Sequence, residues 1–249
     1  MKVWATGCSW TSGAELQYPS HESYDTNIRK YVSDLNHWGE YNLADAGHSN
    51  QYVFRTAIEI AEKMNKEEDV LLVQWTSPFR QELITTDGIA FYAPFEFASL
   101  KFLYGNKFEL FQLIGPKNIS EDEFRKTKEN QNLEFIAKYS KKFMNETYME
   151  LMSYNMQISL HHLLKSLGVK SIQFYGWEGC KIKSKNIWNI IPENENFLKE
   201  TFQSVLNDNG IYLEGNRHPN KEMHKLFAEF LINKLEKLNY IKPIKKSLI

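Results

Sequence analysis

Cysteine is almost absent. Cys8 and Cys180 are the only two among 249 residues, which excludes the disulfide framework of a small secreted fold and makes a reducing compartment the expectation. An excess of positive charge is missing as well: 30 lysines and arginines stand against 31 aspartates and glutamates, a net charge of −1. Phosphate neutralisation draws on clustered surplus basic residues, so no nucleic-acid partner is expected. The one locally basic stretch, "KPIKKSLI" at the end, reads as a solvated tail. No apolar run reaches the roughly 18 residues of a membrane helix, and "MKVWATGCSW" lacks the apolar core of a signal peptide. A cytoplasmic chain with no membrane partner is therefore expected. Also lacking are a GxGxxG or GxxxxGK[ST] loop to cradle nucleotide phosphates and any Cys/His cluster with zinc spacing. His161 and His162 are adjacent in a helical stretch, which turns them about 100° apart rather than onto one face. Neither metal nor cofactor is expected.

What is present is ordinary globular composition, 42% hydrophobic and 24% charged, in a chain long enough to bury a sizeable core. "KVWAT" (2–6) is a short apolar run closed by Gly7, a first buried strand. Residues 21–37 carry Tyr24, Ile28, Tyr31 and Leu35 at helical spacing. "EYNLADAG" predicts a short strand ending at Gly47. "NQYVFRTAIEIAEKMN" predicts a helix with Asn50 as its cap and Val53, Ala57, Ile60 and Met64 on one face. "DVLLVQW" (69–75) is the strongest strand, a continuous apolar run of the kind buried on both faces. From Ser77 to about Pro116 the rhythm fails, and the aromatic-rich stretch 80–116 reads as a partly helical insertion over the end of the sheet. Residues 120–167 return to helical spacing. "VKSIQFYGWEG" predicts a fourth strand, 195–208 a helix, "GIYLEG" a short fifth strand or extended segment and "NKEMHKLFAEFLINKLEKL" a last amphipathic helix. No repeat or linker is visible. Strands alternating with helices predict one α/β domain over 1–249 with a mostly parallel five-stranded sheet.

In such a sheet, functional groups gather where strands end. The first strand is followed by Gly7, Ser9 and Trp10, the second by Gly47, Ser49 and Asn50. The third is followed by Trp75, Thr76 and Ser77, the fourth by Gly176, Trp177 and Glu178. "EGNRHPNKEMH" places His218 before the last helix. One edge thus collects a hydroxyl nucleophile, an imidazole base and small residues whose amides can face an oxyanion, the inventory of acyl transfer. Each has a plainer reading beside it. Ser9 also suits a turn and His218 a helix start; His224 suits packing or surface, Asp45 a turn, and Cys8 a small buried hydrophobe. Any one tryptophan suits a core.

The order and spacing of these segments resemble the SGNH (GDSL-like) hydrolase family, in particular its divergent phage and bacterial members. "TGCSWTSG" is similar to the first block, with Ser9 at the nucleophile position. "DAGHSN" is similar to the second, with Gly47 as the amide-donating glycine. "VQWTSP" stands at the third, and "RHPN" is similar to the fifth, with His218 as base. These blocks spread over 5–224. The resemblance implies a flavodoxin-like three-layer α/β/α sandwich and ester hydrolysis through Ser9 and His218. The oxyanion would be held by the amides of Ser9 and Gly47. Where the third block of the family carries asparagine, this chain has Trp75-Thr76-Ser77, so Thr76 is the candidate donor there. Where the fifth block carries aspartate this chain has Gly215, so Glu214 is the candidate for orienting His218. Trp10, Trp75 and Trp177, with Asn50, are the candidate substrate-binding residues, because aromatic faces suit a sugar ring. The expected substrate is a small-molecule or glycan ester, with an O-acyl group such as acetyl removed. A catalytically silent glycan- or protein-binding module and an O-acyltransferase stay open beside it. The insertion predicts either a lid or a subunit interface, which leaves a homo-oligomer open.

Overall fold

A computed structural model describes residues 1–13, 16, 23–31, 41–45, 48–84, 90–94, 146–181, 196–213 and 218–242. In chain order the elements are β1 (Val3–Thr6), α1 (Tyr24–Tyr31), α2 (Asn50–Lys63), β2 (Val70–Trp75), β3 (Arg80–Ile84), β4 (Ala90–Pro94), α3 (Glu146–Ser166) and β5 (Lys170–Tyr175). A single 3-10 turn (Glu178–Cys180), β6 (Phe197–Thr201), α4 (Phe202–Asp208) and α5 (Lys221–Lys237) follow.

Four strands form one parallel sheet in the order β1-β2-β5-β6. β2 sits inside it, and every one of its six residues is buried, as its unbroken apolar run requires. Its start is tied to β1 by Asp69, whose carboxylate accepts from Lys2 N (2.7 Å) and Trp4 Nε1 (3.1 Å). Alternate residues then serve opposite faces. Val3, Ala5, Val70, Leu72, Ile172 and Phe174 pack with Tyr24 and Ile28 of α1, Phe202 and Leu206 of α4, and Phe227 and Leu231 of α5. Trp4, Leu71, Val73, Trp75 and Tyr175 pack with Val53, Ala57 and Ile60 of α2 and Leu160 and Leu164 of α3. Helices thus cover both faces of a parallel sheet, an α/β arrangement compatible with a flavodoxin-like fold.

Among the described residues the expected fifth strand is not formed, and the sheet has four strands there. Residues 41–45 run beside β1 through an isolated parallel bridge between Ala5 and Asn42, with Ala5 N donating to Tyr41 O (2.8 Å) and Leu43 N to Ala5 O (2.9 Å). The contact is too short to be a strand. Residues 211–213, expected to be extended sheet, are irregular. The last strand comes instead from 197–201, inside the stretch expected to be helix. Apolar spacing across 197–206 suits a helix, but Thr201 ends the strand and caps α4 in the same residue: Thr201 Oγ1 accepts from Ser204 N (2.8 Å) and Ser204 Oγ accepts from Thr201 N (2.9 Å). The cap of α2 shifts by one as well. Ser49 holds it, accepting from Tyr52 N, and Asn50 is the first helical residue.

Of the expected partly helical insertion, β3 and β4 pair antiparallel as a separate two-stranded sheet, Arg80 opposite Pro94; residues 95–116 lie outside the described residues. No helix among the described residues is long and apolar enough to cross a membrane. Cys8 and Cys180 are free thiols buried in different cores.

Candidate functional site

β1 leads into a single helical turn, in which Thr11 N and Ser12 N both donate to Cys8 O (2.9 and 3.0 Å). Ser9 sits in it, 6% exposed, with its carbonyl accepting from Ser12 Oγ (3.1 Å). The turn is anchored through Thr11. Its hydroxyl pairs with Tyr24 Oη of α1 (2.8 Å) and donates to the buried Gln74 side-chain oxygen of β2, while its carbonyl accepts from Asn42 Nδ2 (3.0 Å). Among the described residues the Ser9 hydroxyl makes no hydrogen bond, so the anchoring falls to its neighbours.

Gly7 lets this turn approach β2. A Cβ there would overlap Thr11 Oγ1 and come within 2.9 Å of both Thr11 Cβ and Gln74 Cβ. All three belong to buried residues that cannot swing away. Gly7→Ala is therefore expected to cost about 3 kcal/mol, lowering Tm by roughly 6–12 °C in a thermal melt. Gly210→Ala is a useful contrast. Gly210 has open space around it but a φ of +73°, so only backbone strain of about 1 kcal/mol is expected.

His218 lies just before Asn220, whose side chain caps α5 by accepting from Met223 N (3.0 Å). One turn into the helix, His224 is fully buried. Its Nδ1 accepts from Tyr24 N (3.2 Å), which leaves the proton of the neutral ring on Nε2. Burial holds its pKa down to about 3, and the neighbouring His218 pushes in the same direction. Phe202, the first residue of α4, links the two segments. Its ring meets His224 edge-on at 5.2 Å and Trp10 edge-on at 5.4 Å. The turn carrying Ser9 and the helix preceded by His218 therefore pack on the same face of the sheet.

Trp177, just past β5, meets Trp10 with ring centres 5.3 Å apart. Two of the three expected tryptophans are thus brought together at the carboxyl edge. The third is not. Trp75 is the last residue of β2, fully buried on the α2–α3 face, with its indole N–H donating to Gln173 Oε1 (3.0 Å). Strand alternation sends it away from Trp10, so it cannot line the same edge. Asn50 is likewise spent inside the fold. Its Oδ1 accepts from Thr76 N (2.9 Å), while its Nδ2 donates to Thr76 O (3.0 Å) and Ser153 Oγ (2.7 Å). This clamp joins the end of β2 to α2 and α3, and it replaces the expected role in substrate binding. It also occupies the Thr76 amide. The Thr76 hydroxyl accepts from Arg80 Nη1 (3.1 Å) and keeps one proton to donate.

Gly47 and Glu214 lie outside the described residues. Beside the former, His48 Nε2 pairs with Asp45 Oδ2 (2.8 Å), a contact that gives Asp45 the turn role expected of it. Among the described residues no group of three His, Cys, Asp or Glu could hold a metal ion; the rings of His161 and His162 meet edge-on, 5.4 Å apart. The sequence carries no signal for the anchoring roles of Thr11, Tyr24 and Gln74 or for the placement of Arg80. Buried polar residues that hold a turn carry no motif, and Arg80 reads from sequence as any surface cation. No protein-family model matches the chain, and no curated protein matches it either.

Proposed function

We propose that the chain is an SGNH-type serine esterase with a flavodoxin-like three-layer fold, removing an O-acyl group, acetyl for preference, from a carbohydrate. One observation carries the reading. Ser9 leaves β1 on an anchored turn at the carboxyl edge of a parallel sheet, on the face to which the His218 end of α5 packs. Ser9 Oγ attacks the ester carbonyl as His218 accepts its proton. The amides of Ser9 and Gly47, with the Thr76 hydroxyl, hold the tetrahedral oxyanion. His218 returns the proton to the departing sugar oxygen. Water, deprotonated by the same imidazole, then releases the acyl group as a carboxylic acid. Glu214 orients the imidazole, and Trp177, backed by the buried Trp10, offers the apolar surface for a sugar ring.

A silent binding module is the second reading, favoured by one feature: the Thr76 amide is already clasped by Asn50, which leaves the third block a weaker donor than the family's asparagine. The two readings separate on purified protein. The esterase turns over p-nitrophenyl acetate and is labelled by a fluorophosphonate on the peptide that contains Ser9. A protein that does neither is the binding module. Sugar alcohols added as acceptors distinguish hydrolysis from transfer, since an acyltransferase yields acylated sugar in place of free acid.

A further inference from the structure

We infer that Arg80 makes the site beside Ser9 selective for esters of an acidic sugar, one carrying a singly charged oxyanion such as a carboxylate. This rests on the esterase reading for the reaction, though the binding it describes can be measured without it. Arg80 opens β3 four residues beyond Thr76. One terminal nitrogen donates to Thr76 Oγ1 (3.1 Å), and the guanidinium carbon lies 5.4 Å from the centre of the Trp177 ring. Its Nε is buried with no hydrogen-bond partner. No carboxylate pairs with Arg80 among the described residues, whereas the buried Arg29 has Asp25 at 3.5 Å and Lys181 has Glu178 at 3.0 Å.

A half-buried guanidinium with one neutral acceptor and a buried N–H left over is incompletely satisfied. Its five donors form a planar fork that matches an oxyanion on two atoms at once, and a cation–π contact with an indole helps to place that fork. That indole is Trp177, which touches Trp10, the residue after Ser9. A sugar lying on the partly buried Trp177, with its ester at Ser9, would thus bring its charged group toward Arg80. One guanidinium matches a single negative charge. A phosphate monoester, with close to two, would call for further basic residues.

Binding is measured by NMR titration on the Ser9→Ala protein, which cannot turn a substrate over, with glucuronate, glucose and glucose 6-sulfate as probes. Glucuronate is expected to bind at least about tenfold tighter than glucose, as a charge-assisted pair would give. Arg80→Gln should bring that ratio close to one, and Arg80→Lys should leave an intermediate value because the charge stays and the fork is lost. The readout is a ratio of two affinities, so a general loosening of the fold moves both and leaves it unchanged. Equal affinity for glucuronate and glucose overturns the inference. So does a preference that survives in Arg80→Gln. Tighter binding of the sulfate than of glucuronate keeps the charge reading and changes the group. If p-nitrophenyl acetate is not hydrolysed but the Arg80-dependent preference is present, the esterase reading fails and the acidic-sugar site stands as that of a binding module.

Discussion

Ser9→Ala is expected to lower p-nitrophenyl acetate turnover by at least about a thousandfold, equivalent to roughly 4 kcal/mol of transition-state stabilisation, with almost no loss of stability. Both halves follow from the same geometry. The hydroxyl would form the covalent bond to the acyl carbon, so no neighbour replaces it. Yet it makes no hydrogen bond among the described residues, while the turn is held by Thr11, Ser12 and the Cys8 carbonyl. Its removal should cost no more than about 0.5 kcal/mol and move Tm by less than ~2 °C. Steady-state kinetics and a thermal melt on the same preparation check the two together. Unchanged turnover would remove Ser9 from the chemistry. Lost turnover accompanied by a large drop in Tm would make the residue structural.

The second large effect is on stability at acid pH. His224 is neutral and buried against Tyr24, stacked at 15°, and against Phe202. Its folded pKa is about 3, below the value of 6.5 ordinary for histidine. Between these two values the unfolded chain binds a proton that the folded chain does not, so stability rises with pH across the window and is lost as pH falls from about 6.5 towards 3. From pH 7 to pH 4 the loss attributable to this ring is about 3 kcal/mol. Urea unfolding at several pH values measures it. In His224→Gln, where an amide oxygen can still accept from Tyr24 N, the fall over this range should be shallower by about that amount. The difference of slopes isolates His224 from the buried Asp25, whose carboxyl is pushed up by burial, and from Glu200, which Lys234 holds down. Parallel curves for the two proteins would mean that His224 takes up its proton without leaving the fold.

Local pattern determined a good part of this molecule. A run of six apolar-flanked residues forces β2 into the middle of the sheet, and helical spacing places Val53, Ala57 and Ile60 of α2, with Met64 just past its end, in the core, as expected. The apolar start followed by Gly7 marks the end of β1 and the turn that holds Ser9. Such features depend on neighbours within one or two turns of chain, which is why sequence alone exposes them. The tertiary structure decided the rest. Trp75 faces the other layer because its place as the last residue of β2 fixes its side by strand parity, whereas Trp10 and Trp177 lie beyond the ends of β1 and β5, where the turns bring them together. Asn50 became a clamp because Ser153 arrives 103 residues later, and His224 was buried neutral by Tyr24, 200 residues earlier. Arg80 beside Trp177 depends on the start of β3 meeting the segment that follows β5. Polar side chains are directed by whichever distant group satisfies their hydrogen bonds once water is excluded, and that partner does not exist until the chain has folded.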